Sequence, residues 1–324
     1  MTEPNGGLID CHVHLAALPD AGNGCHISRR MLRSPVFRFL RFQYRLPLDD
    51  PRLANRRYVD ALLAELCASR HVSRAVLLVM DGVYDADGRL DEPRTEFLVS
   101  NRYVLEVARA HASEFLAGVS INPQRRDAVD EVHRSADAGA ALVKVLPNAQ
   151  GFDPANAGYR PFYRALAERG LPLLSHVGYE FTLIGRDQSL GDPERLRLPL
   201  EEGATVIAAH GCSYGLVLYE KFLPTLQRFV SRYPNFYADI SALTLPNRFP
   251  MLLRLRRCPE IHGRLLFGTD YPLPVLHVPV WGRVGLGTLR EIVGTKNRFD
   301  RQVLVCQSLG VGFGSIVTPA SRPS

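Results

Sequence analysis

The chain of 324 residues has almost no lysine: 36 of its 39 basic residues are arginine, leaving only Lys144, Lys221 and Lys296. It has no apolar run near the roughly 20 residues that a membrane span needs; the longest with strand character is AVLLVM, residues 75–80. The start, MTEPNGGLID, lacks a basic segment followed by an apolar stretch, so no secretory signal is expected and the reading is cytoplasmic. None of the six cysteines forms a CxxC pair, which argues against a zinc ribbon or a disulfide framework and for reduced, mostly buried thiols. No basic run is interleaved with aromatics, so the net charge of +6 does not point to nucleic acid. The one arginine-dense stretch is Arg29–Arg57, which would suit an anionic small-molecule substrate if it faced a pocket.

What is present is a rhythm. Eight short runs rich in Val, Ile, Leu and Phe recur at 7–14, 75–81, 115–123, 141–148, 171–178, 204–211, 235–241 and 264–272. Their near-continuous apolarity is that of parallel strands covered on their outer face. Between them lie amphipathic segments with helical spacing at 55–70, 98–112, 128–139 and 160–170, the last two ending on Gly139 and Gly170. A further one at 216–233 carries Pro224 and must be kinked there or begin late. Eight strands alternating with helices predict an α/β fold, a (β/α)8 TIM barrel with a long insertion after strand 1. The expected organisation is one domain over 1–313, with 15–54 as a lid-like insertion and 314–324 as a flexible tail. A second long, Pro- and Gly-rich segment, 273–288, follows the last strand and holds the single tryptophan, Trp281.

Histidines gather where such a barrel puts its chemistry. His12 and His14 end the first run, in LIDCHVHL; His176 ends the fifth, His210 the sixth, and Asp270 the eighth. Residues two apart on a strand share a face, so both early histidines can enter the lumen, with Cys11 and Val13 turned to the helices. Polar residues at the C-terminal ends of barrel strands converge on one mouth. Any one of these histidines alone reads more readily as an ordinary polar cap than as a ligand. Four histidines and an aspartate buried together among Val, Leu and Ala are costly unless a cation compensates them, and imidazole with carboxylate suits a divalent ion such as zinc.

At this point DCHVH, LLSH, VIAAH and LLFGTDYP, in strand order, with VKVLPNAQGFDP on the fourth strand, resemble the amidohydrolase superfamily. Within it they are most similar to the amidohydrolase-related group that includes aminocarboxymuconate-semialdehyde decarboxylase. The resemblance spans about residues 7–310. It implies that His12, His14, His176 and Asp270 hold one divalent ion, most often zinc. It also implies that Asp270 takes the proton of a water on that ion, and that His210 serves as general acid/base or polarises the substrate. Lys144 reads first as an ion-pair or substrate contact, with a carboxylated bridging lysine as the alternative. Asn148, Tyr179, Glu180 and Tyr271 are further substrate or supporting candidates, and Asp81, Asn122 and Tyr214 also fall near strand ends.

Three functions are open to such a chain. The leading one is a metal-dependent hydrolase attacking an ester, lactone or amide. The alternative is a non-oxidative decarboxylase of an aromatic or dienoic acid, which needs a positive clamp that an arginine of 29–57 would supply. A barrel that only binds is the third, and the complete set of ligand-type residues argues against it. A small-molecule substrate is expected in either enzymatic case, with no nucleic acid and no membrane partner; a homodimer is left open.

Overall fold

The structure is a computed structural model and describes residues 7–185, 187–217 and 219–315. Eight strands run parallel in chain order: β1 Leu8–His14, β2 Val72–Leu78, β3 Phe115–Ser120, β4 Leu142–Val145, β5 Leu173–Ser175, β6 Val206–Ala208, β7 Phe236–Asp239 and β8 Leu265–Leu266. The sheet closes on itself: Cys11 donates its N–H to the Phe267 carbonyl at 3.0 Å, and His14 donates to that of Tyr271 at 2.8 Å. This is the expected (β/α)8 TIM barrel.

Two apolar layers build it. Odd positions of β2 to β4 such as Ala75, Leu77, Val143 and Val145 pack outward against the helices. Ile9, Val76, Leu78, Leu142, Leu174, Ile207 and Leu266 fill the lumen below the mouth. Lys144 shares the lumen face with Leu142, as its two-residue spacing requires.

Cys11 departs from the expectation. It packs in the lumen with Ile9 and Leu142, not among the helices, while Val13 does face them. The cause is a bulge: Asp10 pairs with Ala75 but Val13 pairs with Leu77, so β1 holds one residue more than β2 over that stretch. The extra residue lets Cys11 and His12, adjacent in sequence, both point inward.

The helices follow their sequence signals closely. Those at Pro51–Cys67, Asn101–Ala110, Ala128–Asp137 and Arg160–Arg169 match the amphipathic segments, and left-handed Gly170 closes the last. Leu223–Arg232 begins late, with Pro224 in its first turn, where the missing N–H costs nothing. The strands are shorter than their apolar runs. His176, His210 and Asp270 therefore lie one, two and four residues past the strands they follow.

The insertion is structured. It carries short helices at Arg29–Leu32 and Pro35–Tyr44, each capped by a serine, Ser28 or Ser34. His26–Ile27 pairs antiparallel with Phe97–Leu98, tying it to the segment after β2. Tyr44 anchors it to the barrel mouth, its hydroxyl donating to that of Tyr271 at 2.9 Å, and Tyr58, on the helix that follows, donates to the His14 carbonyl at 2.7 Å. Of the tail expected over 314–324, residues 316–324 lie outside the described residues. Among the described residues no helix is long and apolar enough to cross a membrane.

All six cysteines are free thiols, four of them buried. Burial pushes the thiols of Cys11, Cys212, Cys258 and Cys306 up. Iodoacetamide should label exposed Cys67 first and half-buried Cys25 next, and reach the other four only after unfolding, as read by peptide mass spectrometry. Rapid labelling of Cys11 in the native protein would contradict its place in the lumen.

Candidate metal centre and active site

The polar ring sits directly above the apolar plug of the lumen. The donor atoms of His12, His210 and Asp270 all lie within 4.8 Å of one another. Asp270 Oδ1 is 3.4 Å from His12 Nε2 and 3.1 Å from His14 Nε2. His210 Nε2 lies 3.2 Å from His176 Nδ1. The four histidines and the aspartate chosen from sequence are thus contiguous. The tightest grouping puts His210 beside His12 and Asp270, whereas the sequence reading gave His210 a proton-transfer part and placed His14 and His176 on the ion.

The backbone is contorted to achieve this. His210, Gly211 and Cys212 have φ of 59°, 57° and 56°, and Asp270 has 65°. Left-handed conformations in non-glycine residues are uncommon and cost energy that the surrounding packing must cover. Gly268, in FGTD, is required for a different reason: a Cβ there would approach those of His12 and Ser241 to 3.1 and 3.2 Å.

Three residues that support the ring were not anticipated. Asp239, at the end of β7, accepts from His12 Nδ1 at 2.8 Å and from the His210 N–H at 2.9 Å. That contact assigns the proton to Nδ1 and leaves Nε2 of His12 with its lone pair toward the mouth. Ser241 Oγ lies 3.0 Å from His12 Nδ1 and 2.9 Å from His210 Nδ1. Asp10 accepts a 2.6 Å hydrogen bond from the Thr269 hydroxyl, fixing the turn that carries Asp270. Asp239 and Ser241 were visible in ADIS as polar residues ending an apolar run; Asp10 was visible as a lone charge within one.

The electrostatics favour a cation among neutral imidazoles and an ionised carboxylate. Burial lowers His12, and holds His176 and His210 well below the usual histidine range. Burial alone would raise Asp270, but His12, His14 and His210 outweigh it and hold the carboxyl well below the usual carboxylate range. Two buried ring nitrogens, His176 Nε2 and His14 Nδ1, have no hydrogen-bond partner. An orphaned imidazole nitrogen on His176, near an aspartate flanked by the Nε2 atoms of His12 and His14, suits a divalent ion. His12, His210 and Asp270 form the candidate site, with His14 and His176 in reach of it.

Above the ring opens a cavity of about 730 Å³. Lys144, Tyr179 and Glu180 line it; Asn148 and Tyr271 do not. Asn148 is turned away to hold the loop after β5 through the Gly178 carbonyl and Gln188. Tyr271 is buried behind the wall, stacked on Phe299 and covered by Arg298 at 4.2 Å. Asp81 and Asn122 bond each other, Asp81 accepting the Asn122 N–H at 2.9 Å, outside this cavity.

The arginine that does reach the cavity is one the sequence did not single out. Every arginine of 29–57 is exposed and none lines the cavity, which removes the anticipated clamp. Arg248, in the loop after β7, is only 4% exposed and lines the cavity floor. It donates to the carbonyls of Ser213 at 3.2 Å and Tyr179 at 2.9 Å. Lys144 Nζ lies 3.3 Å from His12 Nε2, and burial pulls its pKa down to about 8. Among the described residues neither cation makes an ion pair with a carboxylate.

Comparison with known proteins agrees with this architecture. Residues 9–281 match the amidohydrolase family (Amidohydro_2), and the chain belongs to it. No curated protein matches. Among solved structures, the chain is similar to an uncharacterized TIM-barrel protein from Bordetella bronchiseptica (19% identity, 94% of this chain and 99% of that one, TM-score 0.60). It is also similar to 5-carboxyvanillate decarboxylase from Sphingomonas paucimobilis (13% identity, 94% and 99%, TM-score 0.52). A third is 5-carboxyvanillate decarboxylase from Novosphingobium aromaticivorans, complexed with manganese and a nitrobenzoic acid (15% identity, 97% and 96%, TM-score 0.51).

Asp239→Asn should leave the fold intact but weaken metal binding by about tenfold to a hundredfold, because His12 loses the acceptor that sets its tautomer. Metal titration followed by elemental analysis, with circular dichroism for the fold, checks this; unchanged affinity would remove Asp239 from the site.

Proposed function

We propose that the chain is a metal-dependent, non-oxidative decarboxylase of an aromatic or dienoic acid. The observation that carries this is the pair of buried cations, Arg248 and Lys144, lining the cavity beside the candidate metal centre: neither is in direct contact with a carboxylate, although Glu180, Asp270 and Asp239 lie near enough to favour their charged forms. Burial still disfavours both charges, and a substrate carboxylate in direct contact would compensate that cost. The similar decarboxylase structures from Sphingomonas and Novosphingobium support the same reading. Hydrolysis of a neutral ester, lactone or amide, the leading expectation from sequence, would use the same ring but bring neither cation a carboxylate in direct contact.

The chain's own residues divide the work. Arg248, locked by backbone carbonyls, presents its guanidinium to the substrate carboxylate. His12, His210 and Asp270, with His14 and His176 in reach, would hold the divalent ion; zinc is the expected metal and manganese the competitor. The ion, when bound, supplies Lewis acidity to a substrate oxygen. Asp270, ionised at rest, takes up one proton from solvent and delivers it to the carbon that bears the carboxylate. As it does so the C–COO bond breaks, its electron pair stays on the ring or diene carbon, a C–H bond forms and carbon dioxide leaves.

Carbon dioxide release from a panel of hydroxybenzoic and dienoic acids tests the reading; turnover of esters or lactones with no carbon dioxide from any acid would overturn it. Treatment with a chelator should abolish turnover, and added zinc or manganese should restore it. Arg248→Gln should lower kcat/KM by about a hundredfold, chiefly through KM, consistent with one lost charge-assisted contact of roughly 1.5–3 kcal/mol.

A further inference from the structure

The cavity is much larger than its chemistry requires. A one-ring acid of about ten non-hydrogen atoms displaces at most about ten waters of roughly 30 Å³ each, less than half of the available space. At about 730 Å³ the cavity is of a size that encloses drug-sized ligands. Its polarity is also divided. The imidazoles, Asp270, Lys144 and Arg248 form the floor, whereas the insertion contributes an apolar wall that includes Leu18, Met31, Val36, Phe37, Leu40 and Leu46. The insertion puts no charged side chain into the cavity.

The wall continues to the rim. Phe39 from the insertion and Phe181 from the loop after β5 both line the cavity, yet remain 50% and 64% exposed. Large aromatic side chains left half in water at a pocket mouth mark a surface meant to be covered. The insertion is tied to the barrel by the Tyr44–Tyr271 hydrogen bond and by the pairing of His26–Ile27 with Phe97–Leu98, so this wall is part of the resting architecture.

We infer that the insertion forms an apolar subsite for a long hydrocarbon or second-ring substituent, making the substrate an amphiphilic acid whose carboxylated head meets Arg248 and whose apolar body lies along residues 15–46. The inference rests on the acid-binding reading of the floor for the direction in which the ligand lies. The occupant is set by the wall: a polar or charged extension would meet no partner there, whereas each methylene gains from leaving water.

The probes are salicylic acids bearing methyl, pentyl and nonyl chains at position 6, used with the metal-loaded full chain. Binding is measured by calorimetry and turnover by carbon dioxide release. Affinity and kcat/KM are expected to rise roughly threefold per added methylene until the wall is covered. Val36→Trp, which fills the subsite, and Phe39→Ser, at the exposed rim, should each reduce the nonyl-to-methyl ratio by at least tenfold for the former and severalfold for the latter. Circular dichroism confirms that each variant is folded. Decarboxylation with no dependence on chain length overturns the subsite and leaves the proposed activity standing. Binding that tightens with chain length, with no carbon dioxide from any acid, supports the subsite and overturns the activity. Chain-independent binding with an unaltered ratio in both variants also overturns the subsite.

Discussion

An ionised carboxylate in the interior of a dry barrel must be met by donors on every side, and Asp239 is: the His12 ring, the His210 and Ser241 backbone N–H groups and the Ser241 hydroxyl converge on its two oxygens. Burial alone would raise its pKa, but those partners, with His12 first, hold it below the usual range. The rest of the centre depends on that arrangement. It fixes which nitrogen of His12 is free, it anchors the left-handed turn that delivers His210, and it ties β7 to the histidine strand β1. Asp10 repeats the device on the other flank, joining β1 to the turn after β8 through Thr269. There the balance goes the other way, and burial pushes the carboxyl up to about 7.

Around these two carboxylates the molecule separates its tasks by chain segment. Strands and the turns just beyond them supply the imidazoles, Asp270 and Lys144 of the floor, as the barrel architecture directs. The insertion supplies apolar surface and the Tyr44 anchor, and its arginines face solvent. Arg248 stands between the two: it comes from a loop, but its guanidinium is clasped by carbonyls of the loops after β5 and β6, so it is held as firmly as a residue on a strand.

The barrel was readable from sequence because each parallel strand must be apolar on both faces, and that leaves a strong, periodic signal. The histidines and Asp270 were readable because a titratable residue at the end of an apolar run is costly without a purpose. Asp239 obeyed the same rule and was passed over only because its run, NFYADIS, is broken by a tyrosine and an asparagine. Cys11 was misplaced because a bulge shifts the face of every residue after it, and a bulge has no compositional mark here. Arg248 carried no signal at all: one arginine among 36, in a loop whose path is decided by tertiary contacts. Tyr271 is the converse case: the motif brought it forward, and packing turned it into an anchor for Tyr44.

The left-handed backbone at His210, Cys212, Ala242 and Asp270 has an evolutionary consequence. Each of these residues pays about 1–2 kcal/mol that glycine would not. At Cys212 and Ala242, drift toward glycine would relieve strain with little loss of chemistry. At His210 and Asp270 the same drift would erase the donor atoms. Selection for robustness and selection for turnover therefore pull in opposite directions at two positions only, and lineages that abandon catalysis would be released to change there first.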